Sequence, residues 1–229
     1  LSLIISCPYL VYVIAMGYTR QSVAIGFIML GIIALVNRKN NLYFLYIILG
    51  ALFHKISAIM MVLIYLFDVK KIISTKYILF PIIFILIIYL VSNDFKYLFY
   101  YLSDDNKVDS SGALFRFFLQ FIPSIIFLIF CNKLSYNLRE KRIFQFFSIF
   151  SILCFFLIIY YSTAGDRLLL YFIPLQLFVF SRFSLLFEKN LHKIFFNFLI
   201  ISYYFAQLLF WFNFSATSYA WIPYNNYLF

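Results

Sequence analysis

Charged residues are scarce in this chain. They make up 11% of its 229 residues, whereas an ordinary soluble domain contains about 25%. Hydrophobic residues make up 66%, which is more apolar surface than a globular protein of this size can bury. The composition therefore excludes a soluble enzyme, a disordered tail and a secreted disulfide scaffold, and it predicts a membrane protein.

Two other patterns are missing from the sequence. The apolar stretches show no strict alternation of apolar and polar residues, which argues against an outer-membrane barrel. The three cysteines, Cys7, Cys131 and Cys154, form no CxxC or CxxH spacing, so the sequence indicates neither a metal site nor a disulfide pair. We therefore expect no metal and no other cofactor.

The net charge of +10 comes from basic residues that lie between hydrophobic runs. This placement predicts contact with the membrane lipids at the cytoplasmic surface and no binding of nucleic acid. The chain begins at Leu1 rather than Met, which is compatible with the later part of a longer protein or with the loss of the first residues. Because no repeat or linker interrupts it, we expect residues 1–229 to form a single transmembrane domain.

Long apolar runs predict an all-α, polytopic membrane fold, because a bilayer core of about 30 Å needs roughly 20 apolar residues in a helix. The runs predict about seven spans plus a re-entrant hairpin, or eight spans. The spans are predicted near residues 1–17, 18–36, 72–92, 113–130, 143–161, 168–181 and 194–214.

The charged segments between the spans predict which side of the membrane each one faces. Segments 68–76, 131–142 and 182–193 are basic, whereas segment 93–112 has more acidic than basic residues. If the basic segments lie inside and the acidic one outside, the positive-inside rule is satisfied with one span between neighbours. A short turn at 162–167 and the C-terminal tail are then expected outside.

The stretch 42–67 is apolar except for the polar residues at 54–57. In a straight helix, His54 and Lys55 would lie near the membrane centre. Insertion of a charged side chain at that depth costs about 2.5–3.5 kcal/mol on insertion scales. In a re-entrant hairpin of two half-helices, the polar tip would pass mid-membrane towards the outside, in protein or beside water. We favour the hairpin because it brings His54 to the same face as Arg20 and Arg167.

Several polar residues in the membrane region have two interpretations. Arg20, followed by Gln21, is either an interfacial arginine that reaches the lipid surface or an anion-binding group, since a guanidinium donates paired hydrogen bonds to phosphate. His54 is either a core residue with satisfied hydrogen bonds or a group that transfers a proton or binds phosphate. Lys55 stays protonated at this depth only beside an anion or a wet cavity.

Polar residues in the second half of the chain also have a structural and a functional interpretation. Asp166 either caps the next helix or acts as a general base, and Arg167 is either solvated or binds phosphate. Tyr171 lies one turn beyond Arg167 and is expected to line the same cavity. Arg116 either reaches the lipid surface or makes a further phosphate contact. The acidic residues at 104–109 are interpreted as a solvated loop.

The polar clusters, in this order, resemble those of the EpsG-like family of Wzy-type polysaccharide polymerases. The stretches "GYTRQSVAIGFIML" and "LYIILGALFHKISAIMMVLIYLF" carry the resemblance, and "GDRLLLYF" and "WIPYNNYLF" are similar to the C-terminal half of the family. Lys55 departs from the family pattern. The residues at matching positions are Arg20, Gln21, Ala24, His54, Ser57 and Ala58.

The resemblance implies a multi-pass glycosyltransferase of the bacterial inner (cytoplasmic) membrane. It would join oligosaccharide repeat units carried on undecaprenyl pyrophosphate, at the periplasmic face, to build O-antigen lipopolysaccharide, capsule or exopolysaccharide. A chain-length regulator is an implied protein partner. A lipid-linked oligosaccharide translocator would need a similar cationic cavity, and this remains the alternative. A membrane acyltransferase built around His54 is less favoured, because the nearby sequence offers no second polar partner for that reaction.

The implied chemistry assigns two kinds of role to the polar residues. A general base removes the proton of the acceptor hydroxyl, and cationic groups stabilise the leaving pyrophosphate. The expected catalytic residues are Asp166 and His54. The expected pyrophosphate- and substrate-binding residues are Arg20, Gln21, Lys55, Ser57, Arg116, Arg167 and Tyr171.

Overall fold

A computed structural model describes residues 1–66, 110, 112–215 and 218 of the chain. Helices account for nearly all of the described residues. A 3-10 segment covers Lys55–Leu66, and a 3-10 turn covers Leu170–Phe172. The α-helices are α1 (Ser2–Ala15, of π type from Cys7 onwards), α2 (Thr19–Val36), α3 (Asn40–Phe53), α4 (Ala113–Leu134), α5 (Leu138–Tyr160), α6 (Ser162–Leu169), α7 (Pro174–Phe183) and α8 (Asn190–Phe214).

The helical membrane fold predicted from the sequence is confirmed, whereas the number of spans is not. Helices α2, α4, α5 and α8 are long and apolar enough to cross a membrane, and the bent pair α6–α7 would be a fifth span. The predicted span 72–92, the basic segment 68–76, most of the acidic segment 93–112 and most of the tail lie outside the described residues. A total of seven or eight spans is therefore not confirmed.

Two hydrogen bonds show which helix ends lie together. The Gln21 side-chain Nε2 donates to the backbone oxygen of Arg167, 2.8 Å away, which joins the start of α2 to α6. Arg139 Nη1 donates to the backbone oxygen of Leu35 over 2.9 Å, which joins the end of α2 to the start of α5. We call the first end, with Arg20 and Arg167, the outer end, and the second the inner end, after the sides predicted from charge.

The chain reverses direction at His54. The hydroxyl of Tyr43, in the first half of α3, donates a hydrogen bond to the backbone oxygen of Met60, in the 3-10 segment. In a straight helix these residues, 17 positions apart, would be about 25 Å apart. His54 itself has extended backbone angles, with φ −146° and ψ 104°. The geometry agrees with a hairpin whose tip is His54 and not with a straight helix.

The bend of 48° between α6 and α7 is held by a buried polar network. Pro174 has no backbone N–H and interrupts the helix, and an interruption at membrane depth requires other partners for the backbone. Gln120 Nε2 donates to the backbone oxygen of Phe172 over 2.8 Å. Gln176 Nε2 donates to Gln120 Oε1 over 2.6 Å, and Tyr204 donates to Gln176 Oε1 over 2.8 Å. The network therefore ties α4, α7 and α8 together at the bend.

An ion pair and a cap extend α5 at the inner end. The Asn137 side chain accepts a hydrogen bond of 2.8 Å from the backbone nitrogen of Glu140, which caps the helix. Arg182 Nη1 and Nη2 donate to the two Glu140 carboxylate oxygens over 3.0 and 3.1 Å. Hydrophobicity alone predicts that this helix begins near residue 143. Because the cap and the ion pair stabilise Glu140, α5 begins at Leu138 instead.

Gly165 allows α6 to approach the end of α5 closely. A Cβ atom at Gly165 would lie 2.7 Å from Ile158 Cγ1 and 2.8 Å from the Ile158 backbone nitrogen. We expect Gly165→Ala to lower the free energy of unfolding by about 1–3 kcal/mol, because the backbone of α5 would have to move. Thermal unfolding of the purified protein in detergent measures this change.

Gly26→Ala provides the matched control for that substitution. A Cβ atom at Gly26 would meet no atom within 4 Å, and alanine is favoured over glycine inside a helix by about 0.5–1 kcal/mol. We therefore expect equal or higher stability. Equal losses in the two variants would contradict the close packing of α6 on α5.

Candidate functional site

Two residues that are 117 positions apart form the centre of the outer-end site. Tyr171 OH and His54 Nδ1 are hydrogen-bonded, and their ring centroids are 5.9 Å apart. Tyr171 is fully buried in the turn after α6, whereas His54 is half-buried at the hairpin tip. The hydrogen bond therefore fixes the orientation of the imidazole and leaves its Nε2 for another partner. The sequence analysis expected both residues near Arg167 but did not predict that they are hydrogen-bonded to each other.

Two arginines lie at the same end of the bundle as the His54–Tyr171 pair. Arg167 is one turn before Tyr171, and its charge acts on both Tyr171 and His54. Gln21, which is buried, holds the backbone of Arg167, so the neighbouring Arg20 reaches the same end of the bundle. Both arginine side chains are exposed. Within the described residues, neither forms an ion pair with an acidic side chain, so both guanidinium groups are available to an anion.

A second polar cluster lies on the buried side of α6. Arg116 Nε donates to Asp166 Oδ1 over 2.6 Å, and Arg116 Nη2 donates to Asp166 Oδ2 over 2.8 Å. Ser110 Oγ donates to Asp166 Oδ2 over 3.1 Å and accepts from Arg116 Nη2 over 2.6 Å. Both carboxylate oxygens are therefore occupied. This bidentate pair joins the start of α4 to α6.

The structure corrects three expectations about this region. Residues 162–167 are not a turn, because Ser162–Leu169 is helical. Asp166 does not cap a helix, since it lies inside α6. Arg116 does not reach out to the lipid surface, because its guanidinium binds the buried Asp166. Both oxygens of the Asp166 carboxylate already accept hydrogen bonds from Arg116 or Ser110, so the geometry favours a positioning role for Asp166. Its role as general base stays a prediction.

The hairpin places the remaining two candidates differently. Lys55 is exposed directly beside His54 at the tip. Ser57 is fully buried, and its Oγ would lie 3.4 Å from a Cβ added to Gly50 on the opposite arm. Ser57 therefore packs between the two arms of the hairpin. Its role in substrate binding stays a prediction.

The outer end also contains a cleft between α1, the start of α4 and the end of α8. Its volume is about 140 Å³, and its lining includes Tyr9, Arg116, Gln207 and Trp211. The sequence analysis did not select Tyr9 or Gln207. The available signal was an isolated glutamine in the apolar run of α8, because polar groups at membrane depth are costly and mark functional positions.

The described part of the chain has few side chains of the kinds that bind metals or transfer protons. Among the described residues, no group of three or more histidine, cysteine, aspartate or glutamate side chains could hold a metal ion. What these residues offer at the outer end is two exposed guanidinium groups and an oriented imidazole. Such a set can bind a phosphate or pyrophosphate group and transfer a proton near it.

Comparison with known proteins identifies the family. No curated protein and no solved structure matches this chain. The model of the EpsG family matches it over residues 1–226. A match over nearly the whole length shows that the chain belongs to the EpsG family.

Proposed function

We propose that this protein is a polysaccharide polymerase, a membrane glycosyltransferase that joins undecaprenyl-pyrophosphate-linked oligosaccharide repeat units at the periplasmic face. Membership of the EpsG family indicates a membrane protein of polysaccharide biosynthesis, and the apolar helices are those of a multi-pass membrane protein. One observation carries the finer proposal. Arg20 and Arg167, exposed and without acidic partners among the described residues, lie at the same end of the bundle as the His54–Tyr171 pair.

The arginines suit the donor half of the reaction. The bond between the anomeric carbon of the donor sugar and the pyrophosphate oxygen breaks, and negative charge develops on that oxygen. A guanidinium fixed beside it in a site of low dielectric stabilises this charge more than water does. Arg167 is fixed through its backbone by Gln21. The guanidinium also has a planar fork of donors that matches two oxygens of a phosphate group.

His54 suits the acceptor half. A hydroxyl oxygen of the acceptor sugar forms the new bond to the anomeric carbon and gives up its proton. If His54 Nδ1–H donates to the oxygen of Tyr171, His54 Nε2 carries the lone pair that accepts this proton. In the other tautomer, Tyr171 donates to Nδ1, and Nε2–H donates a hydrogen bond to the pyrophosphate instead. Both states use the same fixed ring.

The product of the purified protein tests the proposal. The full chain in detergent is incubated with undecaprenyl-pyrophosphate-linked repeat units, and the products are separated by length. A polymerase yields lipid-linked chains of two, three and more units, and it releases undecaprenyl pyrophosphate. A translocator, the alternative, leaves every chain at one unit. The absence of any lengthened product with correctly folded protein would overturn the proposal.

Tyr171→Phe is expected to slow chain lengthening about two- to tenfold. The variant loses one hydrogen bond to His54, and a neutral hydrogen bond contributes about 0.5–1.5 kcal/mol. His54→Ala removes the proton acceptor itself and is expected to slow the reaction by about 10²–10⁴-fold. The rate of product formation at saturating substrate measures both changes.

Tyr43→Phe is the matched control. It removes another buried phenol hydrogen bond in the same hairpin, the one to Met60, but leaves His54 its partner. We expect lower stability and an unchanged rate per folded molecule. If Tyr43→Phe and Tyr171→Phe slow the reaction equally, the hydrogen bond to His54 has no role of its own in the reaction.

A further inference from the structure

The lining of the cleft at the end of α8 contains none of the residues of the arginine–histidine site. It lies between Pro8–Val13 of α1, the start of α4 and the last two turns of α8. Arg116 forms part of its wall and also binds Asp166, whose sequence neighbour Arg167 belongs to the other site. The Arg116–Asp166 pair therefore connects the wall of the cleft to the helix that carries Arg167.

Gln207 is an unsatisfied hydrogen-bond acceptor in the wall of this cleft. The residue is only 8% exposed, and its side-chain Oε1 has no hydrogen-bond partner in the part of the chain that the structure describes. A buried polar atom without a partner lowers stability by about 1–3 kcal/mol, so native proteins rarely keep one without a reason. The expected partner is a donor on a bound molecule.

The other walls of the cleft are aromatic. Phe115 and Phe210 approach each other with ring centroids 5.2 Å apart, and Phe210 stacks on Phe214 at 4.7 Å. Trp211 lines the same cleft. Aromatic faces pack against apolar C–H surfaces, and the indole N–H donates hydrogen bonds. A sugar ring presents both features, with C–H groups on its faces and hydroxyl groups at its edge.

The size of the cleft also suits a sugar ring. One water molecule needs about 10–15 Å³ of such volume, so the 140 Å³ of the cleft accommodates roughly ten waters or one compact polar ring. A lipid tail would fill the space but has no donor for Gln207 Oε1. A phosphate at neutral pH mainly accepts hydrogen bonds and does not suit this acceptor either.

We propose that the α8 cleft, defined by Tyr9, Arg116, Gln207, Phe210 and Trp211, binds one sugar ring of the acceptor, with a sugar hydroxyl donating to Gln207 Oε1. The assignment to the acceptor rests on the proposed function. The binding of a saccharide in the cleft is independent of the proposed function, because it is argued from Gln207 and the aromatic side chains alone. This acceptor ring and the pyrophosphate of the donor are thereby bound by different side chains, and the two substrates do not compete for the same cations.

The fluorescence of Trp211 reports on this cleft directly. The probe is the repeat-unit oligosaccharide released from its lipid pyrophosphate by mild acid, which carries neither lipid nor phosphate. Titration of the full chain in detergent should give a saturable change that disappears in Trp211→Phe, because the chain's other tryptophan, Trp221, then provides only background. Undecaprenyl phosphate without sugar should give no such change.

Gln207→Met tests the acceptor atom. The substitution keeps the length of the side chain and removes the unsatisfied oxygen, so we expect unchanged or higher thermal stability. Binding of the oligosaccharide should weaken about three- to tenfold, the effect of one neutral hydrogen bond. The control is Asn197→Leu, which removes another acceptor without a described partner from α8, outside the lining of the cleft. Its affinity should not change.

The outcomes separate this inference from the proposed function. If Gln207→Met weakens saccharide binding but no variant or wild-type protein lengthens chains, the cleft stands and the polymerase proposal fails. If chains lengthen while Gln207→Met binds the oligosaccharide as the wild type does, the cleft assignment fails. An absent Trp211 response, an equal response to undecaprenyl phosphate alone, or an equal loss in Asn197→Leu also overturns it.

Discussion

Arg167→Ala is expected to reduce the rate of chain lengthening by at least about 100-fold. In enzymes, the loss of one fixed group that stabilises a developing negative charge slows the reaction by about 10²–10³-fold. Arg20→Ala should have an effect of the same order, because its guanidinium lies at the same end of the bundle. In cells, both variants should lack long polysaccharide, whereas single repeat units still reach the surface. Chain-length ladders from cells and initial rates in detergent measure these effects.

Two further substitutions make this result specific. Arg167→Lys keeps the charge but loses the planar fork that binds two phosphate oxygens, so we expect an intermediate loss of about tenfold. Arg38→Ala removes an exposed arginine at the inner end of α2 and should leave the rate unchanged. Normal ladders in Arg20→Ala, His54→Ala and Arg167→Ala would reject the assignment of the site.

Asp166→Ala is expected to lower the free energy of unfolding by about 3–5 kcal/mol, because it removes the carboxylate that neutralises the largely buried guanidinium of Arg116. The Arg116 and Asp166 side chains are only 20% and 9% exposed. The double variant Arg116→Met/Asp166→Leu removes both charges and should regain most of the lost stability. Denaturation in detergent measures the free energy of unfolding of the wild type, the single variant and the double variant.

The inner-end ion pair of Glu140 with Arg182 is the matched control for this experiment. Its side chains are 11% and 24% exposed, so Glu140→Ala should cause a loss of stability of similar size. The rate of lengthening per folded molecule should not change, since this pair lies far from the outer end. If Glu140→Ala slows the reaction as much as Asp166→Ala does, the effect of Asp166 arises from instability alone.

The activity of the double variant distinguishes the two roles considered for Asp166. If Asp166 positions α6, the folded Arg116→Met/Asp166→Leu protein recovers part of the rate, because α6 is again held against α4. If Asp166 is the general base, the double variant folds but stays inactive. Full stability without any activity would therefore refute the positioning role that its bidentate pairing with Arg116 indicates.

The class of the protein follows from its composition and from the order of its apolar runs. Transfer from water to lipid depends on each segment's own side chains, so the starts and ends of α2, α4 and α8 could be predicted from local hydrophobicity to within a few residues. The polar tip at His54 could also be predicted. A charged residue such as Lys55 is costly in the middle of a straight membrane helix, and a hairpin moves it away from there. The family resemblance rested on the same local stretches.

The contacts that give the outer end its chemistry could not be predicted in this way. His54 meets Tyr171 across 117 residues, and Arg116 meets Asp166 across 50, and nothing in the local pattern of either residue identifies its partner. The fold adds a partner to both predicted catalytic residues: His54 gains an orienting hydroxyl, and Asp166, interpreted from the sequence as a helix cap or a general base, is paired with an arginine. Local hydrophobicity places a segment in the bilayer, but helix packing selects which of its polar groups meet.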